Sequence, residues 1–140
     1  LYPLVEQEIF AIEKPYTQIN FPDEGGTTAY FSSNMTKEDL KLVKRFLDSK
    51  KINVLNTRAF KKELIYITVA SINASSEECE FEGQKFIVQH GEFGSYLTEA
   101  VAYLKEALKY CANSIQETMV QNYIDHYTSG EVDLHKDSQR

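Results

Sequence analysis

The spacing of apolar residues near the start of the chain predicts a first helix. Three of them recur at helical intervals: Val5, Ile9 and Ile12. Pro3 suits a first helical turn, where its missing N–H is no loss, and Pro15 ends the predicted helix. Residues 16–26 have the composition of a loop, and residues 27–31 form a short β-favouring run.

A second helix is predicted from its capping signal and its apolar stripe. Thr36 is a suitable N-cap, and Asp39 stands three residues later, as in a capping box. The helix is expected to end near Ser49. Its buried stripe is predicted to comprise Leu40, Val43, Phe46 and Leu47.

The middle of the chain predicts strands. Residues 53–60 and 64–73 are the first two, and the second is expected to be central because both of its faces are largely apolar. Residues 74–78 are predicted to be a polar loop. Residues 79–90 indicate a strand pair, or one bent strand, around Glu82-Gly83-Gln84. Their expected core contacts are Phe81, Phe86 and Val88.

The last third of the chain is predicted to be helical. A seam of apolar residues steps by four and three: Leu97, Val101, Leu104, Leu108, Cys111 and Ile115. Asn113-Ser114 indicates a break, after which a second stripe comprises Met119, Val120, Tyr123, Ile124 and Tyr127. Ser129-Gly130 is expected to end this helix. Residues 131–140 are interpreted as a polar, truncated tail with little to bury.

Together these elements predict an α+β fold. The sheet is expected to be mostly antiparallel, or a small barrel-like sheet, flanked by helices and followed by long C-terminal helices. No internal repeat or long linker divides the sequence, so residues 1–140 are predicted to be a single domain or sub-domain. Because the first residue is Leu and no signal-peptide pattern follows, the chain is expected to begin inside a longer polypeptide or to have been processed, and a fragment of a larger two-lobed enzyme is the favoured interpretation.

Charge argues against nucleic acid as a partner. The 140 residues include 15 basic and 21 acidic side chains, a net charge of −6, whereas phosphate contacts need a basic face. One basic run is interpreted as the solvated face of the second helix: Lys37, Lys41, Lys44, Arg45, Lys50 and Lys51. No apolar stretch approaches 18 residues, so no membrane partner is expected.

The histidines do not form a recognisable metal motif. His90, His126 and His135 lack the His-Glu-x-x-His spacing that places two ligands on one helix face. His126 and His135 are nine residues apart with a Ser-Gly break between them, and they are interpreted as a half-exposed helix histidine and a tail histidine. A hydrogen-bonding role is expected for His90.

The remaining candidates for chemistry also have simpler interpretations. The acidic cluster Glu77, Glu78, Glu80 and Glu82 is interpreted as solvated loop and strand start. Cys79 and Cys111 could form one disulfide, but free thiols are favoured, with Cys111 a small hydrophobe on its helix. Nothing specific pairs Cys79 with a histidine as a nucleophile. The stripe Tyr96, Tyr103 and Tyr110 is interpreted as core edge or interface.

Several stretches in a fixed order resemble the N-terminal half of the dipeptidyl peptidase III family. They are the segments 25–32 (GGTTAYFS), 36–49 (TKED…FLDS), 56–61 (NTRAFK), 81–93 (FEG…GEF) and 112–136 (ANS…YI…G…HK). The resemblance extends from about Val5 to Arg140. Between Phe60 and Phe81 the chain is shorter than the family pattern, which is consistent with a variable loop.

The resemblance implies a two-lobed zinc exopeptidase that releases N-terminal dipeptides from short peptides in the cytoplasm. In that family a His-Glu-x-x-x-His helix and a Glu-Glu-Cys-x-Ala-Glu motif supply the zinc ligands. The first motif does not occur in this sequence. The triplet Glu77-Glu78-Cys79 resembles the start of the second motif, but it lies at the wrong position relative to the other matching stretches. No catalytic, cofactor-binding or metal-binding residue is therefore assigned here, and zinc is expected only in the full-length parent.

Three functional hypotheses follow from the sequence. The first is a structural, substrate-side fragment of the lobe opposite the zinc, with the zinc lobe and peptide substrates as partners and no activity of its own. The second is a stand-alone protein-interaction module without catalytic activity. The third is a small hydrolase that uses Cys79 or the acidic cluster.

Overall fold

The computed structural model describes residues 2–139, apart from the side chains of Leu4 and Asp23, and it confirms the predicted α+β class. The helices are α1 (Tyr2–Ile9), α2 (Lys37–Lys50), α3 (Gly94–Leu108), α4 (Ser114–Ser129) and α5 (Val132–Ser138). The strands are β1 (Thr57–Lys61), β2 (Ile65–Ala70), β3 (Ser75–Phe81) and β4 (Gln84–Glu92). Short 3-10 turns occupy Pro22–Glu24 and Val54–Asn56.

The four strands form one open, mixed sheet in the order β1-β2-β4-β3. The β1/β2 and β3/β4 pairs are antiparallel hairpins, while β2 and β4 are parallel neighbours. Antiparallel pairing therefore predominates as predicted, and β2 is central as predicted. The barrel-like alternative is wrong, because β1 and β3 remain the two edges of the sheet and do not pair with each other.

Helix α2 agrees closely with its prediction because its signals are local. The Thr36 hydroxyl accepts from the Asp39 amide at 3.1 Å, and an Asp39 carboxylate oxygen accepts from the Thr36 amide at 2.9 Å. These two bonds complete the capping box. The helix ends one residue later than predicted, with Lys51 in the left-handed region. Its buried face comprises Val43, Phe46 and Leu47, with Leu40 partly buried.

One face of the sheet packs against α2 and forms the main core. The buried residues that the strands contribute are Ala59, Ile65, Ile67, Val69, Phe86 and Val88. Burial alternates along β2, so its core residues lie on one face and Tyr66, Thr68 and Ala70 are half-buried on the other. Phe46 is stacked on Phe86 with ring centres 4.1 Å apart and meets Phe81 edge-on at 5.8 Å. This aromatic stack joins α2 to β4 and β3.

The capping box makes part of the stability dependent on acid pH. Burial is the largest single influence on the pKa of Asp39 and raises it, but hydrogen bonds from Lys61 and Thr36 together hold the pKa below its usual range. A carboxyl group whose pKa is lower in the folded than in the unfolded protein stabilises the fold at pH values above the unfolded-state pKa. This stabilisation is lost as the pH falls through the folded-state pKa, because the carboxylate is then protonated.

We therefore expect the free energy of unfolding, measured in urea, to fall between about pH 5 and about pH 3 in the parent chain. The decrease should be smaller in Asp39→Asn, which lacks the titrating carboxyl group. Near neutral pH the variant should be less stable by about 1 kcal/mol, a typical value for a helix cap. The control is Asp48→Asn, because Asp48 forms an exposed pair with Lys44 on the same helix. An identical pH dependence for Asp39→Asn and the parent chain would contradict the prediction.

Several predicted boundaries in the first half are wrong. Helix α1 ends at Ile9 rather than at Pro15. Ile12, the last residue of the predicted apolar stripe, is 85% exposed and does not contribute to a core. The β-favouring run forms only single bridges, Ile19 with Thr27 and Phe31 with Ala59. The first predicted strand begins at Thr57, because residues 54–56 form a 3-10 turn.

The predicted polar loop at residues 74–78 is the first part of β3. Its side chains are exposed up to Glu78 because β3 is an edge strand, so the segment lacks the apolar alternation that identifies a strand. The predicted strand pair about Glu82-Gly83 is confirmed. Glu82 and Gly83 both have positive φ angles, 49° and 76°, and form the turn between β3 and β4.

The C-terminal helices form a second, smaller core. The break is confirmed: the Asn113 side chain caps α4 by accepting from the Gln116 amide at 3.0 Å. Val101, Val120 and Ile124 are buried, and their partly buried neighbours are Ile72, Leu104, Leu108, Cys111 and Tyr127. Ile115 continues the predicted seam but is 79% exposed. None of the helices within residues 2–139 combines the length and the hydropathy that a membrane span requires.

The expectation that the polar tail from residue 131 onward has little to bury is wrong for its described part. Val132–Ser138 forms α5, which packs on α4 and buries Val132 and Ser138. Gly130 ends α4 as predicted, with φ of 85°, and a Cβ there would lie 3.0 Å from the Ala70 carbonyl oxygen. Glycine thus permits the α4–α5 turn to pack directly on the end of β2.

Main-chain hydrogen bonds join the helical layer to the sheet. The Ile72 and Asn73 amides donate to the carbonyl oxygens of Tyr127 and Thr128 at 2.9 and 3.0 Å. The Asn56 amide group donates to the Gly130 carbonyl oxygen at 2.7 Å. The two cores are therefore connected through the end of β2 and the last turn of α4.

Candidate functional site

A polar cluster lies on the sheet face that points away from the main core. The side chains that alternate with the core residues are half-buried: Arg58, Phe60, Tyr66, Thr68 and Ile87. At the centre is the carboxylate of Glu92. One oxygen accepts from Arg58 Nη1 at 2.9 Å, and the other accepts from the Thr68 hydroxyl at 2.7 Å.

Strand register explains how these three residues meet. Arg58 and Thr68 are direct partners in the antiparallel β1/β2 pair. In the β2/β4 pair, Val69 is opposite His90 but Ala70 is opposite Glu92, so Gly91 is an extra residue in β4. An extra residue in a strand moves the side chains of the residues after it to the opposite face of the sheet. The Glu92 side chain therefore lies on the same face as Thr68, away from the main core. Gly91 has φ of 105°, which favours glycine.

The surroundings of the cluster hold its charges in place. Arg58 Nε also donates to the Ala29 carbonyl oxygen at 2.9 Å, and the guanidinium lies 4.8 Å from the centre of the Phe60 ring. The Glu92 side chain is 16% exposed and the Arg58 side chain 35%. Because both carboxylate oxygens already accept hydrogen bonds, Glu92 is placed to orient Arg58 rather than to act as a free base.

A groove of about 520 Å³ adjoins this cluster. Its polar lining includes Thr68, Ser75, Gln89, His90 and Glu92. Hydroxyl, amide and imidazole groups of this kind can form hydrogen bonds with a polar ligand such as a peptide backbone. The groove therefore has the chemistry of a binding surface.

The acidic cluster is paired with basic residues of α2 and β4. Lys50 bonds to Glu77 at 2.9 Å, Arg45 to Glu82 at 2.5 Å and Lys85 to Glu78 at 3.1 Å. Hydrogen bonds from Lys50 and from Arg45 lower the pKa values of Glu77 and Glu82. Within residues 2–139 no group of three or more His, Cys, Asp or Glu residues could hold a metal ion.

These ion pairs also modify the interpretation of the basic run on α2. Arg45 and Lys50 extend across to the hairpin of β3 and β4, and Lys37 pairs with Glu24. Lys44 pairs with Asp48 within the helix, as expected for a solvated face. Two members of the run therefore connect α2 to the sheet.

Both cysteines are free thiols, as favoured from the sequence. Cys79 packs against the main core and Cys111 against the helical core. The Cys79 thiol donates to a Glu77 carboxylate oxygen at 3.1 Å, and the Cys111 thiol lies 3.8 Å from the Ala107 carbonyl oxygen. The hydrogen-bond partner of Cys79 is thus a carboxylate rather than the imidazole that a cysteine nucleophile uses.

The tyrosine stripe does not lie at a core edge. Tyr96 and Tyr103 on α3 are 74% and 70% exposed, and Tyr110, two residues beyond the end of α3, is 83% exposed. The prediction of a core-edge position is wrong for all three. The alternative, an interface with another chain or another part of the polypeptide, stays a prediction.

The structure brings together two histidines that the sequence separates. His126 and His135 have ring centres 5.2 Å apart, because α5 folds back on the last turns of α4. His135 also lies 5.5 Å from the Tyr123 ring, so it is a helix residue in an aromatic cluster rather than a tail histidine. His90 lies within β4, with Nδ1 3.4 Å from the Ser75 hydroxyl, as expected for a hydrogen-bonding role.

Sequence reasoning missed the Arg58–Glu92 pair. Both residues belong to stretches that resemble the peptidase family, but nothing in either stretch indicates that they meet. They are 34 residues apart, and the signal that joins them is Gly91, whose role as a bulge depends on the parallel pairing of β2 and β4.

Comparison with known proteins gives a consistent result over the whole chain. The family model described as Peptidase family M49 matches residues 1–140. The dipeptidyl peptidase 3 of Dictyostelium discoideum is 36% identical to the chain, and that of Homo sapiens is 34% identical. Each alignment covers 94% of the chain and 20% of the relative. The chain thus spans about a fifth of the length of the curated relatives it matches.

Proposed function

Because the chain belongs to peptidase family M49, we propose that it forms a non-catalytic, substrate-side part of a dipeptidyl peptidase. The observation that carries this proposal is the match over the whole chain, together with relatives whose printed name is dipeptidyl peptidase 3. The proposed parent enzyme releases dipeptides from the N-termini of short peptides in the cytoplasm.

We propose that the catalytic zinc of such an enzyme is bound by residues outside this chain. A catalytic zinc site uses three protein ligands and one water molecule. The described residues contain no group of three His, Cys, Asp or Glu side chains close enough to form such a three-ligand site, which supports this placement of the catalytic zinc. The zinc-bearing part of the polypeptide is therefore the proposed partner of this chain.

The role proposed for this chain is to provide a wall of the peptide-binding cleft. The groove beside Glu92 supports this role, because it presents hydroxyl, amide and imidazole groups at one edge of a rigid sheet. The Arg58–Glu92–Thr68 hydrogen bonds join β1, β2 and β4 beside this groove. A wall of this kind contributes binding and orientation, and the chemical step takes place elsewhere.

The test compares the 140-residue chain with the complete polypeptide from the same source. Both are purified and assayed for dipeptide release from a dipeptide arylamide, and bound zinc is measured in each. We expect activity and one tightly bound zinc ion in the longer polypeptide and no peptidase activity in the isolated chain. Peptidase activity of the purified 140 residues would overturn the proposal, and so would a zinc-free, inactive longer polypeptide.

The exposed tyrosines favour a second candidate, a stand-alone interaction module. Two exposed tyrosines on α3 and a third just beyond its end are the kind of surface that a partner covers. An immunoblot of source cells separates the two candidates. A native band at 16.1 kDa would favour the module, whereas a band several times heavier would favour the peptidase fragment.

A further inference from the structure

The contact between α4 and α5 places two imidazole rings side by side. His126 is in the last turns of α4 and His135 is in α5, and their ring centres are 5.2 Å apart with an angle of 38° between the ring planes. Both residues are partly buried. Two histidines in contact are the common starting point of a transition-metal site, since neutral imidazole is a good ligand for such ions.

The hydrogen bonds of His126 leave one ring nitrogen available. Its Nδ1 lies 2.9 Å from the Glu131 carbonyl oxygen. A carbonyl oxygen can only accept, so Nδ1 carries the proton and Nε2 keeps its lone pair. Metal-binding histidines are oriented in this way, with the second ring nitrogen donating to a backbone carbonyl or a carboxylate.

His135 supplies the second and independent observation. Its Nδ1 is buried and has no hydrogen-bond partner among the described residues. A buried polar atom without a partner destabilises the fold, so it requires an explanation. Coordination of a metal ion by that nitrogen would remove this cost.

The ring separation agrees with tetrahedral coordination. A zinc–nitrogen bond of about 2.05 Å puts the ion about 3.2 Å from the centre of each imidazole, and a tetrahedral angle then separates the two centres by about 5.2 Å. The observed separation is 5.2 Å. The separation of the ring centres is therefore compatible with two imidazoles that share one ion.

We propose that His126 Nε2 and His135 Nδ1 together bind a divalent transition-metal ion of the zinc type, with water completing the coordination. The site is separate from the catalytic zinc of the proposed peptidase, and it does not depend on that assignment. Its expected effect is structural, because the ion would join α5 to α4 beside the turn at Gly130.

The test is a zinc titration of the chelator-treated 140-residue chain, observed by NMR of ¹⁵N-labelled histidine side chains. We expect the His126 Nε2 and His135 Nδ1 resonances to shift together and to saturate at one ion per chain, while His90 is unaffected. The spectrum without zinc must also show the Nδ1–H tautomer of His126. Calorimetry should show at least about a tenfold loss of zinc affinity in His126→Ala and in His135→Ala, and no change in His90→Ala.

Several outcomes would overturn the proposal. They are the absence of any zinc-dependent shift, a shift of only one of the two histidines, or binding that survives both substitutions, which would indicate an adventitious ion only. Circular dichroism checks that the variants are folded. If His135→Ala loses α5, the resonances of the unsubstituted chain still decide the question.

Discussion

Replacing Phe46 by alanine is expected to lower the free energy of unfolding by about 3–5 kcal/mol, as for other buried aromatic residues. Phe46 is 1% exposed and lies at the centre of the main core, where it contacts Phe86 face to face and Phe81 edge to face. The loss combines the removed apolar surface with the cavity that remains. Stacked aromatic pairs contribute about 0.5–1.5 kcal/mol beyond burial, so the result should lie in the upper part of the range.

Equilibrium unfolding in urea, followed by circular dichroism, measures this loss. The matched control is Tyr103→Ala, which removes an aromatic ring that is 70% exposed on α3 and should change the stability by no more than about 0.5 kcal/mol. A small effect of Phe46→Ala would mean that α2 is not held to the sheet by this stack. The same experiment would then also contradict the position of the main core.

Replacing Arg58 by methionine is expected to lower the free energy of unfolding by about 2–3 kcal/mol. The substitution keeps most of the apolar stem but leaves the Glu92 carboxylate, which is 16% exposed, with Thr68 as its remaining hydrogen-bond donor. A fully buried pair would cost about 3–5 kcal/mol when one partner is removed. The partial exposure of Arg58 reduces the expected loss, because water can reach the site.

Two comparisons separate this effect from the loss of a surface charge. Lys85→Met breaks an ion pair with Glu78 whose side chains are both more than half exposed, and it should cost at most about 1 kcal/mol. The double substitution Arg58→Met with Glu92→Leu should recover part of the stability lost in the single variant, because no unpaired carboxylate remains. Equal losses in Arg58→Met and Lys85→Met would contradict the importance assigned to this cluster.

The elements that could be predicted from sequence are those whose signals lie within the element. Helix α2 has its cap, its stripe and its last turn within 16 consecutive residues, and all three predictions are confirmed. The turn between β3 and β4 and the break before α4 are likewise local, at Gly83 and Asn113. The central position of β2 was predicted from the apolar residues on both of its faces, a signal that also lies within the element.

The elements that were missed depend on residues that are distant in sequence. The acidic part of β3 is stabilised by pairing with β4 and by Lys50 from α2, and neither is visible in the segment itself. Helix α5 is mostly polar, and it is recognisable only once α4 provides a surface on which Val132 is buried. The Arg58–Glu92 pair needs the parallel pairing of β2 and β4, which the prediction of a mostly antiparallel sheet gave no reason to expect.

The main-chain bonds between residues 72–73 and residues 127–128 have a mechanical consequence. Bending between the sheet and α4 would have to break both bonds, together with the packing of Gly130 against the end of β2. The packing of Val101 on α3 against Val120 and Ile124 on α4 extends this connected unit through the second core. A displacement of α5 would therefore be transmitted through α4 to the strand that carries Thr68.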